Sequence, residues 1–139
     1  MSGSVFFDTN VLVYLYDTDS PQKQDKAKAL LEEHGGSGKA FLSTQVLQEF
    51  YVNVSRKFVR QLSHEEALQA TENLSRLPVV QVDVSLILRA ISLGKQLQVS
   101  FWDSLIIQAA LNARCQRLLT EDLQHGRVIG DLRIENPFV

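Results

Sequence analysis

Short apolar runs alternate along this chain with longer segments whose apolar positions recur every three or four residues. The runs predict buried strands and the longer segments amphipathic helices. Val5-Phe6-Phe7 reads as a first strand, closed by Asp8. Residues 11–16 follow as a short helix that Asn10 would cap. Pro21 opens a polar helix over 21–34 with Ala27, Leu30 and Leu31 inward, and Gly35 to Gly38 makes a flexible loop. Ala40-Phe41-Leu42 is a second strand. Ser43 or Thr44 then caps a helix with an apolar face of Leu47, Phe50, Tyr51, Val54 and Phe58. Ser63 and Glu66 form a capping box for a helix over 64–75. A third strand is predicted over 78–82, a helix over 85–96, a longer helix over 100–114, a fourth strand at Leu118-Leu119 and a fifth over 132–134. Strands alternating with helices predict an α/β fold, one domain over 1–139 with a parallel sheet of four to five strands and helices on both faces. Its connections should be right-handed.

Composition narrows the function. With 45% apolar and 22% charged residues the chain reads as globular rather than disordered. A net charge of −2 excludes nucleic-acid binding by bulk charge, so any such contact is local or aided by cations. No apolar stretch approaches a membrane span. The lone Cys115 rules out an internal disulfide and fits a reducing compartment, and no signal peptide is visible. The expectation is a cytoplasmic protein.

An open parallel sheet builds its sites beyond the carboxyl ends of its strands, and four acids can converge there if strands one, two and four are neighbours. Asp8 follows the first strand and Asp122 the fourth; Glu49 and Asp103 sit in early turns of helices beside them. Converging carboxylates repel and would hold a proton between them unless a cation intervened. All-oxygen ligation suits Mg²⁺ or Mn²⁺, which implies hydrolysis of a phosphodiester by metal-activated water. Each acid also has a plainer reading: Asp8 and Asp122 as caps, Glu49 as a solvated face, and Asp103 as the partner of Ser100 in a capping box. Glu121 competes with Asp122 as the functional acid.

The segments Val5-Phe6-Phe7-Asp8-Thr9-Asn10-Val11-Leu12-Val13-Tyr14, Leu42-Ser43-Thr44-Gln45-Val46-Leu47-Gln48-Glu49-Phe50, Ser100-Phe101-Trp102-Asp103-Ser104-Leu105-Ile106 and Leu119-Thr120-Glu121-Asp122-Leu123 together resemble the PIN-domain ribonucleases, especially the VapC-like toxins of toxin–antitoxin pairs. The resemblance covers nearly the whole chain. It implies a three-layer α/β/α fold with strand order 3-2-1-4-5, and Asp8, Glu49, Asp103 and Asp122 as catalytic, metal-binding acids. It also implies supporting roles for Thr9, Asn10 and Thr120, dependence on Mg²⁺ or Mn²⁺, RNA as substrate, frequent homodimers and an antitoxin partner.

Other features are weaker. Arg56 and Arg60 share a predicted helix face and are candidate RNA contacts. Trp102 reads as core, with base stacking open to it if exposed. His34, His64 and His125 read as surface or capping residues without zinc spacing. Gly35 to Gly38 lacks a phosphate-loop pattern. The second position after Asp8 is Asn10, unlike aspartyl-phosphate phosphatases, and Thr120-Glu121-Asp122 lacks the lysine of receiver domains. The nearly all-apolar segment 101–113 and the faces of its neighbours exceed what the sheet must cover, which predicts a homodimer. The alternatives are a non-toxin PIN nuclease of RNA processing and a module that binds RNA without cutting it.

Overall fold

The computed structural model describes residues 3–139. Along the chain run β1 (Val5–Phe7), α1 (Thr9–Leu12, continued by a 3₁₀ turn Val13–Tyr16), α2 (Pro21–Gly35), β2 (Ala40–Ser43) and α3 (Thr44–Val52, continued by a π turn Asn53–Lys57). These are followed by α4 (His64–Ser75), β3 (Val79–Val80), α5 (Val84–Leu97), α6 (Phe101–Asn112), β4 (Arg117–Leu119), β5 (Val128–Ile129) and β6 (Leu132–Glu135). All three residues of β1 are buried, as an unalternating apolar run requires when both sheet faces are covered. β1 pairs in parallel with β2 on one side and β4 on the other. The six strands lie in the order β3-β2-β1-β4-β6-β5.

That order keeps the expected 3-2-1-4 and places β6, the strand expected fifth, beside β4. The addition is β5, which returns antiparallel along β6 through a tight turn at Gly130, where φ is +59°. Two residues without alternation carry no periodic signal, so this edge strand was absent from the expectation.

Local signals fix most helix starts. Ser43 Oγ accepts from Val46 N–H at 3.3 Å and begins α3; Ser63 and Glu66 close a capping box on α4. Two starts differ. α5 begins at Val84, one residue before the expected start, capped by Asp83, whose carboxylate accepts from Leu86 N–H at 2.9 Å. α1 begins at Thr9 and is capped by Asp8, not Asn10, because the Asn10 side chain is turned across the sheet to β4's end. α3 also does not run on as one face to residue 60: after the π turn, Phe58 leaves helical geometry.

α6 is buried from Ser104 to Ala110, as its apolar run predicts. It packs against α5 at a close approach, where a Cβ on Gly94 would stand 3.1 Å from Ser104 Cβ. His34 is buried, not on the surface, with Nε2 3.1 Å from an Arg117 guanidinium nitrogen, and burial lowers its pKa. Cys115 is buried, and burial lifts its thiol to about 12. No helix among the described residues is long and apolar enough to cross a membrane.

Candidate active site

The adjacent carboxyl ends of β1 and β4 build one wall of the site. Asp8 N–H donates to Leu119 C=O at 3.0 Å, which sets Asp8 beside Thr120. The Asp8 carboxylate then accepts from three neutral donors: Thr9 N–H at 2.7 Å, Thr120 Oγ–H at 2.8 Å and Asn10 Nδ2 at 3.3 Å. Asn10 ties the two strand ends together. Its Nδ2 donates to Thr120 Oγ1 at 3.1 Å and its Oδ1 accepts from Glu121 N–H at 2.9 Å. Thr120 Oγ1 also accepts from Asp122 N–H at 3.2 Å. One hydroxyl thereby positions both Asp8 and the turn carrying Asp122.

α3 supplies the second wall. Glu49 Oε1 accepts from Thr9 Oγ–H at 2.8 Å and Oε2 from Gln45 Nε2 at 3.2 Å. Gln45 Nε2 also reaches Trp102 C=O at 3.3 Å, which joins α3 to the first turn of α6. Among the described residues the buried Gln45 Oε1 meets no hydrogen-bond donor. On α6, Ser100 Oγ accepts from Asp103 N–H at 3.1 Å. Asp103 and Asp122 use no carboxylate oxygen in a hydrogen bond or ion pair among the described residues.

Asp8, Glu49, Asp103 and Asp122 line a single cavity of about 480 Å³, together with Thr9, Asn10, Gln45, Asn53, Lys57 and Trp102. Burial, with Glu49 and Asp122 nearby, raises Asp8 to about 7 against the pull of its hydrogen-bond donors. Among the described residues no three His, Cys, Asp or Glu side chains are grouped tightly enough to hold an ion as they stand. The donor set fits a hard divalent cation in chemistry: every donor is an oxygen, and Asp8 is a buried carboxylate that meets only neutral groups.

Other expected residues are placed elsewhere. Glu121 points away from the cavity into an ion pair with Lys23 and accepts from Tyr14 O–H at 2.7 Å. Arg60 lies past the π turn, 3.8 Å from Asp19, and shares no helix face with Arg56. Lys57, between them, is the cation that lines the cavity. Trp102 is not core: 63% of it is exposed, on the cavity's rim. The Gln45 tether is visible in sequence only as a polar residue four positions before Glu49. The Lys23 clamp on Glu121 leaves no local signal, because its partners are far apart in the chain.

A family model described as PIN domain matches residues 5–130. The chain belongs to the PIN domain family. In this PIN domain the four acids stand at the ends of β1 and β4 and in the early turns of α3 and α6. No curated protein matches it in sequence. Several solved structures share its fold. A toxin–antitoxin complex from Klebsiella pneumoniae aligns with a TM-score of 0.71 at 19% identity, over 96% of this chain and 98% of the other. VapBC2 from Rickettsia felis, bound to a DNA fragment from its promoter, gives 0.69 at 22% identity over 95% and 97%. VapC20 from Mycobacterium tuberculosis, a toxin that cleaves the sarcin–ricin loop, gives 0.66 at 21% identity over 83% and 87%. At these identities the likeness is one of fold.

Proposed function

We propose that this PIN domain is a divalent-metal-dependent endoribonuclease, the toxin of a toxin–antitoxin pair. The observation that carries this reading is the cavity itself: four carboxylates around one space, with Asp8 buried among neutral donors only. A phosphate binder gains nothing from such a pocket, whereas a nuclease needs it charged and ready for a cation.

Asp8, Glu49, Asp103 and Asp122 would hold Mg²⁺ or Mn²⁺. The bound ion supplies Lewis-acid charge and a water of lowered pKa. The chain's own contribution is orientation. Thr120 and Asn10 aim Asp8, Thr9 and Gln45 aim Glu49, and the first turn of α6 presents Asp103. Glu121 is kept out of the set by Lys23, so the turn offers the cavity one acid, Asp122.

The fold likeness to named toxin–antitoxin complexes supports an antitoxin partner. Self-association is supported by α5, whose Val84, Leu88 and Ile91 are 71%, 60% and 55% exposed at helical spacing; a homodimer through this face should sediment above 15.7 kDa. The deciding experiment is end-labelled RNA incubated with the protein in Mg²⁺ or Mn²⁺, with and without chelator. Internal cleavage that chelator abolishes is expected. Absence of cleavage with every RNA and metal, alongside firm RNA binding, would replace the enzyme with a binding module.

A further inference from the structure

Two side chains at the cavity play no part in orienting the acids. The first is Trp102. Its carbonyl is tethered by Gln45 and its ring stands edge-on to Phe101, centroids 5.1 Å apart at 67°, while most of its surface lies in solvent. Leaving an indole in water forfeits apolar burial, and its ring neighbour Phe101 is itself 37% exposed. The second is Lys57. The π turn at the end of α3 brings both Asn53 and Lys57 to the cavity, and single π turns within helices recur at functional sites. Lys57 is the only Lys, Arg or His lining this cavity among the described residues.

An acidic centre with a fixed aromatic at one wall and a free ammonium at another matches a single-stranded polynucleotide. Every unpaired base offers a π face to a ring, and every linkage offers a phosphate to a cation. A duplex hides its base faces. We propose that Trp102 and Lys57 grip single-stranded RNA at this site, an unpaired base stacking on the indole and a phosphate beside the scissile one meeting the ammonium. This rests on the nuclease reading for what happens next, but gripping is measurable without cleavage.

Trp102 is the chain's one tryptophan, so its emission reports on this spot alone. The full chain carrying Asp8→Asn is titrated with a short single-stranded oligoribonucleotide in Mg²⁺. Saturable quenching is expected, lost with a duplex of the same length and lost when one position of the strand is abasic. By filter binding, Trp102→Ala should weaken the single strand roughly 10- to 100-fold and Trp102→Phe much less. Lys57→Ala should lower the salt dependence of binding by about one ion. In the cutting enzyme, Trp102→Ala should raise KM more than it lowers kcat, and Trp102→Phe should recover most of the loss. A melting curve checks that each variant folds. RNA bound without quenching, or bound equally well by Trp102→Ala, overturns the proposal. So does emission that follows protein concentration or an added basic peptide but not RNA, since the ring would then be covered by a second copy or by a protein partner. Loss of cleavage with quenching intact would instead remove the nuclease reading and leave this one standing.

Discussion

α4 and α6 begin with the same pattern, a serine followed three residues later by an acid, and they use it differently. At α4 the box closes: Ser63 Oγ accepts from Glu66 N–H at 3.1 Å and Glu66 Oε1 accepts from Ser63 N–H at 2.9 Å. At α6 only the first half forms, at 3.1 Å between Ser100 Oγ and Asp103 N–H. Aspartate is one methylene shorter than glutamate, and α6 opens onto a cavity of acids where α4 opens onto solvent. One helix spends its acid on its own stability. The other leaves it unspent, with the positive end of the helix easing its charge. A capping motif therefore does not decide between structure and chemistry; what the helix start faces does.

The sharpest test of this contrast is to neutralise both acids. Asp103→Asn should lower single-turnover RNA cleavage by orders of magnitude, because a ligand and a charge are lost together, while its metal-free melting temperature holds or rises. Glu66→Gln should cut RNA like the parent. Equal cleavage by both variants would break the comparison.

The pH dependence of stability should separate the acids by sign. Asp8 has a folded pKa raised from 3.8 to about 7 by burial, so the folded state binds more protons than the unfolded between those values. Metal-free stability should fall as pH rises through that window, by at most about 1.4 kcal/mol per pH unit from this group. Asp8→Asn should flatten the slope, and so should saturating Mg²⁺, which favours the charged form. Glu66 behaves oppositely: the Ser63 backbone hydrogen bond holds its pKa down, so its contribution is present above the unfolded value and lost as pH falls. Urea melts of the parent, Asp8→Asn and Glu66→Gln at a series of pH values check both, and an Asp8→Asn protein whose pH dependence between pH 4 and 7 matches the parent's would contradict the Asp8 assignment.

Smaller effects follow. Thr120→Val removes the hydroxyl that orients Asp8 and the Asp122 turn and should cost roughly 10- to 100-fold in activity or metal affinity, read by titration calorimetry and single-turnover rates. The caps come last. Ser63→Ala and Ser100→Ala should each lose about 1 kcal/mol of stability in denaturant melts, but only Ser100→Ala should also slow cleavage, since only its helix carries an acid of the site.

Strands β1, β2 and β4 were legible because their apolar runs are bounded by turn residues, and the sheet order came with the family's four ordered motifs. Asp8, Glu49, Asp103 and Asp122 could be named together for the same reason. What sequence did not disclose depends on contacts between distant segments. Asn10 looks like a cap because it follows a strand, yet its side chain is drawn to Glu121 and Thr120. Glu121 looks as available as Asp122 until Lys23 is seen beside it. Arg56 and Arg60 look like one helix face until the π turn ends the helix at Lys57. Trp102 looks like core because hydrophobicity alone cannot tell a buried aromatic from one held at a rim.

The bonds that aim the acids span the chain: Thr120 lies 112 positions from the Asp8 it orients, and Thr9 lies 40 from Glu49. Loop closure on that scale is slow relative to forming any one helix. A ribosome-bound chain that has not yet yielded β4 already contains Asp8, Glu49 and Asp103, but lacks the Thr120 hydroxyl that orients Asp8. On the nuclease reading proposed above, a growing copy would stay harmless to the RNA around it until Thr120 has been made and β4 has joined the sheet.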